Sequence, residues 1–450
     1  MSFLSDTIAA LATPVGTSAF AVVRVSGSRV AELIGAIFRT TPLPRVARHA
    51  DYRAIRGELI DDVLFTYFVG PNSFTGEDSL EISCHGNPFI AQKILEDLFS
   101  RGCVPAEAGE FSKRAFLNGR MALSEAEAIM DLIHARSERA LAAANQQLRG
   151  SLERKMNELI AILVNILANI EAYIDFPDED LPSEDRQLIL SRLDQLLVGT
   201  RQLLATSHYG ELLRDGIKTI IVGEPNAGKS SLLNRLVGCE RALVSPEPGT
   251  TRDYLEERIF LGPHWLRLID TAGLNPTPGV IEQQGIAKTF EQAGAADLFL
   301  WVIDSTRATP ALPEVLARRM TPTNTILVYN KTDLRPAGAE VWGDRFSVVR
   351  ISALQGTGLE ALQHEVTRLA EAFQAKVGDD LIAINARHAH ALEQARICLE
   401  SAQSKTADNI HSELVASDLR GAMEFFGQIS GKIDNEKILD QLFAMFCIGK

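Results

Sequence analysis

The segment Gly223-Glu224-Pro225-Asn226-Ala227-Gly228-Lys229-Ser230 fits G-x-x-x-x-G-K-[ST] between the apolar run IKTIIV and the helical SLLNRLVG. Glycines at that spacing let backbone N–H groups wrap phosphate oxygens, and a helix N-terminus adds positive dipole. Lys229 then reaches the β/γ oxygens and the Ser230 hydroxyl can ligate Mg²⁺. Asn226, Ala227, Gly228 and Ser231 complete the phosphate-facing set. Downstream, Asp270-Thr271-Ala272-Gly273 ends the run WLRLID, placing a carboxylate beside the metal and a glycine N–H near a γ-phosphate. Between these two elements, Gly249-Thr250-Thr251-Arg252-Asp253 offers a threonine hydroxyl for the Mg²⁺ shell and a loop that responds to loss of the γ-phosphate.

Asn330-Lys331-Thr332-Asp333 ends the run TILVYN and supplies a base reader. An ionised Asp333 only accepts hydrogen bonds, so it suits the N1–H and 2-amino donors of guanine and rejects adenine, which would face it with an acceptor. Ser352-Ala353-Leu354, after FSVVRIS, fits the last base-contacting loop. Five elements in this order predict a guanine-nucleotide hydrolase. Leu274 stands where Ras-like proteins carry a water-positioning glutamine, and it can neither donate nor accept. Glu282, farther along the same loop, is the candidate to orient water, and Asn226 offers an extra oxygen ligand beside the β/γ bridge. A monovalent cation there can supply the charge that an arginine finger otherwise gives. Glu282, Lys229 and Asn226 are thus the predicted catalytic groups of a cation-dependent GTPase.

The elements that must hold these groups are legible in the apolar pattern. IKTIIV, WLRLID, DLFLWVID, TILVYN and FSVVRIS are continuous apolar runs, the signature of buried parallel strands. Residues 1 to 118 instead alternate short β-branched runs with Gly/Pro punctuation and one apolar helical stretch, IAQKILEDLF, which predicts a mixed α+β domain. Ser124-Glu125-Ala126-Glu127 fits a capping box that opens a long helical region. Within it Leu152, Met156, Leu159, Leu163, Ile166, Ile170 and Tyr173 recur at alternating steps of four and three, an a/d packing seam. A loop with Phe176-Pro177-Asp178-Glu179-Asp180 precedes a second capped helix from Ser183, and amphipathic helices return after about residue 378.

The fold class is therefore multidomain α/β plus α. Residues 1–118 are α+β, 119–215 form a first helical segment, 216–377 are a Ras-like P-loop GTPase domain and 378–450 form a second helical segment. Because helices flank the α/β block on both sides, that block is predicted to be inserted into a discontinuous helical domain.

Composition narrows the class further. The 450 residues are 46% apolar and 23% charged, which excludes a largely disordered chain. Lys+Arg number 45 and Asp+Glu 58, so the formal charge is 45 − 58 = −13, and any nucleic-acid contact needs a local basic patch or a partner. Five scattered cysteines without a C-x-x-C pair predict a reducing cytoplasm rather than a disulfide or zinc scaffold. His85 has no metal-spaced companion and reads as structural. Residues 1–20 lack a cationic start, and Asn165, Asn169 and Glu171 interrupt the apolar stretch Leu152 to Tyr173, so no membrane association is expected.

Beyond the general nucleotide motifs, several segments carry a resemblance along the full length. They are Thr13-Pro14, Arg24-Val25-Ser26-Gly27, the loop GPNSFTGED from Gly70 to Asp78, and GEFSKRAFLNGR from Gly109 to Arg120, with Asp175-Phe176-Pro177-Asp178-Glu179 and the terminal Phe446-Cys447-Ile448-Gly449-Lys450. The chain resembles the MnmE (TrmE) family of tRNA-modifying GTPases. The resemblance implies a homodimer whose N-terminal domain binds a one-carbon tetrahydrofolate (5,10-methylene- or 5-formyl-tetrahydrofolate). It also implies a flavin-dependent partner, MnmG, with which an aminomethyl-type (carboxymethylaminomethyl) group is installed at C5 of the wobble uridine of certain tRNAs.

By that resemblance K⁺ is held by Asn226, Ser245, Glu247 and Thr250, and Mg²⁺ by Ser230 and Thr251. Pro246, Pro248 and Gly249 belong to the same nucleotide-facing loop, Glu282 orients water, and folate is bound by Arg24, Glu81, Arg120 and Lys450. Cys447 matches a functionally implicated cysteine, although a small hydrophobe beside Phe446 is the plainer reading of the residue. A rival class is a nucleotide-switched scaffold, for example in ribosome assembly, which would need no folate pocket.

Overall fold

The computed structural model describes residues 6–41, 43–175, 186–240, 256–261, 264–270, 296–311, 316, 318–335, 342, 344–374, 382–408, 410–431, 443, 446, 448 and 449. It falls into two compact units. One comprises Met1–Met130, Leu148–Asn165 and Arg420–Lys450; the other comprises Asp131–Gln147 and Ile166–Leu419.

The first unit is built on a six-stranded sheet of β1 (Ile8–Leu11), β2 (Ser18–Ser26), β3 (Arg48–Arg53), β4 (Leu59–Phe68), β5 (Ser79–Gly86) and β6 (Val104–Pro105), in the order β3-β4-β5-β2-β1-β6. Only β1 and β6 run parallel; the other pairs are antiparallel. Period-two alternation decides which side chains face which way. Val23, Val25, Leu80, Ile82 and Cys84 go to one face, where Val30, Leu33, Ile34 and Ile37 of α1 (Val30–Phe38) and Ala91, Ile94 and Leu98 of α2 (Pro88–Ser100) share their core. Asn87 caps α2 by accepting the Phe89 N–H at 2.9 Å, with Pro88 at the first helical position. Arg24 and Glu81 fall between those inward residues, directly opposite one another in the β2/β5 register.

On a second small cluster, Phe111 of α3 (Glu110–Leu117) packs with Ile8, Ala10 and Ala106. The chain's C-terminal end returns here. Ala108 bridges to Ile448, and Gly109 adopts φ +65 with a Cβ position only 2.6 Å from the Phe443 carbonyl, so only glycine fits. α4 (Leu123–His134) begins earlier than the capping-box reading placed it. Glu125 reaches back to accept the Ala122 N–H at 2.9 Å, which moves the start two residues upstream and leaves Ser124 buried within the first turn. Six of the seven a/d residues, Leu152 to Ile170, are buried along α6 (Ser151–Asp175), and Tyr173 is half-buried. By length and composition this helix could cross a bilayer.

The second unit holds a six-stranded sheet of β7 (Ile217–Val222), β8 (Glu256–Leu261), β9 (His264–Asp270), β10 (Leu298–Asp304), β11 (Thr325–Asn330) and β12 (Ser347–Arg350), in the order β12-β11-β10-β7-β9-β8. All five expected apolar runs are parallel strands, and β8 adds an antiparallel edge. Every residue of β10 and β11 is buried because both faces are covered. Leu298, Leu300 and Val302 face the core shared with α9 (Lys229–Glu240) and α10 (Leu359–Gln374); Phe299, Trp301 and Ile303 face the cluster with Met320 and Phe346.

The same unit contains α5 (Glu138–Leu148), α7 (Arg186–Ala205), α8 (Ser207–Asp215), α11 (Ala386–Ala407) and the start of α12 (Ser412–Ser430), with α7 packed on α11 and α8 on β7 and β9. The segments that enter and leave the α/β block meet here. Thr206 Oγ1 donates to the Ile382 carbonyl at 2.7 Å, Gln147 Nε2 donates to the Ala383 carbonyl at 2.6 Å, and a Cβ on Gly210 would stand 2.2 Å from the Ile384 carbonyl. Asn385 and His388 close a capping box at the start of α11. The second capped helix expected from Ser183 begins outside the described residues, with α7 described from Arg186.

Candidate functional site

The nucleotide motifs converge at the carboxyl ends of the parallel strands, where open α/β sheets bind ligands. β7 leads into Gly223, β9 ends at Asp270, β10 at Asp304 and β11 at Asn330, while Ser352 follows β12. Gly223 (φ +154) has a Cβ position 2.2 Å from the Val302 carbonyl, and Gly228 (φ +95) one 2.1 Å from Asn330 Nδ2. Side chains at either position would fill the space through which the loop turns, so these two glycines shape a backbone cradle that fits phosphate. Lys229, nearly buried, donates from Nζ to the Gly223 and Glu224 carbonyls at 2.8 and 3.0 Å. Ser230 and Ser231 lie on the first turn of α9, both exposed, where a hydroxyl can meet a metal ion held at the phosphates.

Asn330 organises the base side. Only 2% exposed, it donates from Nδ2 to the Ala227 carbonyl at 2.9 Å and accepts the Ala353 N–H on Oδ1 at 2.9 Å, clamping the phosphate loop to the Ser352-Ala353-Leu354 loop. Ser352 is buried and accepts the Gln355 N–H, whereas Leu354 is exposed at the rim. Lys331 (φ +64) donates from Nζ to the Asn226 carbonyl at 2.6 Å, and Asn226 itself has φ +63. Asp333 is half-buried and makes no hydrogen bond among the described residues, leaving both carboxylate oxygens as acceptors.

Sequence reasoning missed Asp304. Its Oδ2 accepts Lys331 Nζ at 2.7 Å, and its Oδ1 accepts both the N–H and the hydroxyl of Thr306, at 2.9 and 2.6 Å. Burial pushes this carboxyl up, but the Lys331 and Thr306 hydrogen bonds outweigh that and hold it down to about 2. Its only sequence signal is its place at the end of an apolar strand.

The structure brings Arg24 and Glu81 together. Arg24 Nη2 and Nε donate to Glu81 Oε1 at 2.8 and 3.1 Å, and Nη1 donates to the Gly449 carbonyl at 3.3 Å. The guanidinium lies over the rings of Phe74 (5.3 Å) and Phe111 (5.7 Å). Arg120 is exposed, and its stem lies about the Cβ position of Gly76, so it meets the same GPNSFTGED loop that supplies Phe74. Sequence reasoning also missed Arg114, which is buried in α3 and pairs with Glu110 at 2.7 Å and Glu77 at 3.1 Å while donating to the Asp6 carbonyl at 2.8 Å. It anchors the loop on which Phe74 and Gly76 sit.

Ser245, Pro246, Glu247, Pro248, Gly249, Thr250, Thr251, Thr271, Ala272, Gly273, Glu282, Cys447 and Lys450 lie outside the described residues, as does the side chain of Asp270. His85 pairs with Asp61 at 2.8 Å, and among the described residues no cluster of His, Cys, Asp and Glu could hold a metal.

A glycine cradle, an N-K-x-D clasp and a final backbone loop on the carboxyl edge of a parallel sheet define a P-loop G domain of the Ras-like kind. The helices and the N-terminal sheet identify the rest. The MnmE helical domain model matches residues 123–447, and the model of the GTP-binding protein TrmE N-terminus matches residues 7–120. The tRNA modification GTPase MnmE of Opitutus terrae is 55% identical over 449 residues, covering 99% of both chains. That of Akkermansia muciniphila is 43% identical over 451 residues, again covering 99% of both. The Aquifex aeolicus protein is 38% identical over 458 residues, 99% of this chain and 100% of its own. The chain belongs to the MnmE family.

Proposed function

We propose that this chain is a potassium-stimulated GTP hydrolase of tRNA modification. The observation that carries the reading is the double clasp in which Asn330 and Lys331 tie the base-reading loops to the phosphate loop at Ala227 and Asn226. That arrangement supports a reading in which Asp333, an acceptor-only group, selects guanine and the cradle's backbone N–H groups receive phosphates. Lys229 exchanges its loop carbonyls for β/γ oxygens, and Glu282 orients the attacking water. Mg²⁺ held by Ser230 and Thr251, with K⁺ held by Asn226, Ser245, Glu247 and Thr250, supplies when bound the positive charge that offsets charge developing on the phosphoryl oxygens.

In the N-terminal unit, Arg24 and Glu81 form a charged, aromatic-lined pair that suits a folate. Glu81 Oε2 makes no hydrogen bond among the described residues and can accept pterin donors, while Arg24, Arg120 and Lys450 suit the glutamate tail. This unit mediates homodimer formation. With flavin-dependent MnmG the dimer adds a carboxymethylaminomethyl group at C5 of the wobble uridine (position 34) of certain tRNAs, through chemistry in which Cys447 takes part, and it acts in the cytoplasm. The reading is tested by nucleoside analysis of wobble uridine in cells lacking the chain. The modified nucleoside is expected to vanish, to return with the wild-type gene and to stay absent with Asp270→Ala; its persistence in the deletion strain contradicts the reading.

A further inference from the structure

Asp304 backs the contact by which Lys331 joins the base-reading loop to the phosphate loop. It ends β10, is 6% exposed, and holds the Lys331 ammonium at 2.7 Å while Thr306 fixes its other oxygen. Among the described residues Arg307 also lies near it, with Nε at 3.8 Å on the exposed side. The same Lys331 Nζ reaches the Asn226 carbonyl at 2.6 Å, so a single ammonium spans Asp304 and the phosphate loop. Lys331 and Asn226 both hold left-handed backbone angles, φ +64 and +63, which L residues rarely adopt without contacts that fix them. Lys331 lies two residues from Asp333, and Asn226 is the residue whose side chain is read as a potassium ligand.

We infer that Asp304 is a positioning residue that couples guanine recognition to the cation-binding face of the phosphate loop. An ammonium fixed by a buried carboxylate has one place to stand, and from there it sets the Asn226 carbonyl and the backbone from which the Asn226 side chain leaves. Without the carboxylate, Lys331 is no longer held at one point, and base reader and cation ligand move independently. The inference rests on the potassium-stimulated GTPase reading.

The test uses the full chain and two measurements, mant-GDP affinity and the K⁺ concentration dependence of GTP turnover. Asp304→Asn keeps a hydrogen-bond acceptor for Thr306 but loses the ion pair. It is expected to weaken mant-GDP about tenfold, in line with the loss of a charged hydrogen bond. It should also raise the K⁺ concentration for half-maximal stimulation several-fold, with turnover at saturating GTP and K⁺ within about twofold of wild type. Asp304→Glu, which restores the charge, should recover most of both losses. A folded Asp304→Asn chain with affinity and K⁺ half-saturation both unchanged overturns the inference. If that variant does not fold, Thr306→Val removes only the hydroxyl that orients the carboxylate; a smaller shift in both measurements supports the coupling, and no shift overturns it. Equal wild-type rates in K⁺ and Na⁺ would instead sink the potassium reading and with it the cation half of the coupling, leaving mant-GDP affinity to decide whether Asp304 positions the base reader.

Discussion

Asp333 offers only acceptors, and its neighbours fix where those acceptors stand. Thr332 Oγ1 donates to the Ile351 carbonyl at 2.9 Å and Asn330 is clamped on both of its polar ends, so the loop presents Asp333 from a rigid base. Asp333→Asn should therefore shift preference from GTP toward XTP, whose 2-oxo group accepts where guanine donates, by at least about a hundredfold in relative kcat/KM. Competition assays with the two nucleotides read this directly, and retained GTP selectivity contradicts the base-reader assignment. For Glu81 the prediction is loss of 5-formyl-tetrahydrofolate binding in Glu81→Ala, measured by calorimetry. Unchanged binding removes Glu81 from that site. The sequence held Asp333 and Lys229 in plain view because their motifs fix both residue type and spacing. Asp304 and Arg114 were invisible because their partners, Lys331 and Glu77, are 27 and 37 positions away and only the fold brings them together.

At the scale of elements, continuous apolar runs read correctly as parallel strands because burial on both faces leaves no alternation to confuse them. The start of α4 did not, since Ser124 and Glu127 offer a sound capping pair while Glu125 offers a competing one in a register two residues earlier. Arg114 shows how an element is pinned to a loop. Its guanidinium is buried between Glu110 of its own helix and Glu77 of the GPNSFTGED loop, so Arg114→Met strands two carboxylates and should cost about 3–5 kcal/mol in denaturant unfolding. Unchanged unfolding would mean the loop is held otherwise.

His208 of α8 makes a titratable link to Asp297, the residue before β10, at 3.2 Å. The Asp297 hydrogen bond raises the His208 pKa above its ordinary 6.5, despite the lowering effect of burial. The stabilisation is therefore fully present below about pH 6.5 and is lost as pH rises through the higher folded value. The difference in melting temperature between wild type and His208→Gln should shrink across that rise, and a difference independent of pH contradicts the link.

For the whole molecule, the formal charge of −13 and the length take on narrower meaning beside the fold. The entering and leaving segments at Thr206–Gly210 and Ile382–Ile384 touch through a hydrogen bond and a glycine contact, the geometry that lets a domain be carried within another. Linear division of the chain hides this, and periodicity alone could suggest it only because helices flank the α/β block on both sides. An acidic chain that acts on tRNA needs local basic contacts or a basic partner, a requirement that the proposed hetero-oligomer would have to meet.

If a monovalent cation stands in for an arginine finger, steady-state GTP turnover in K⁺ and in Na⁺ at equal ionic strength must differ. Turnover is expected to be faster in K⁺, by at least about tenfold given the roughly 10³–10⁵ an arginine finger supplies, with the difference lost in Asn226→Ala. Equal rates in the two salts would mean that no potassium ion takes part in hydrolysis.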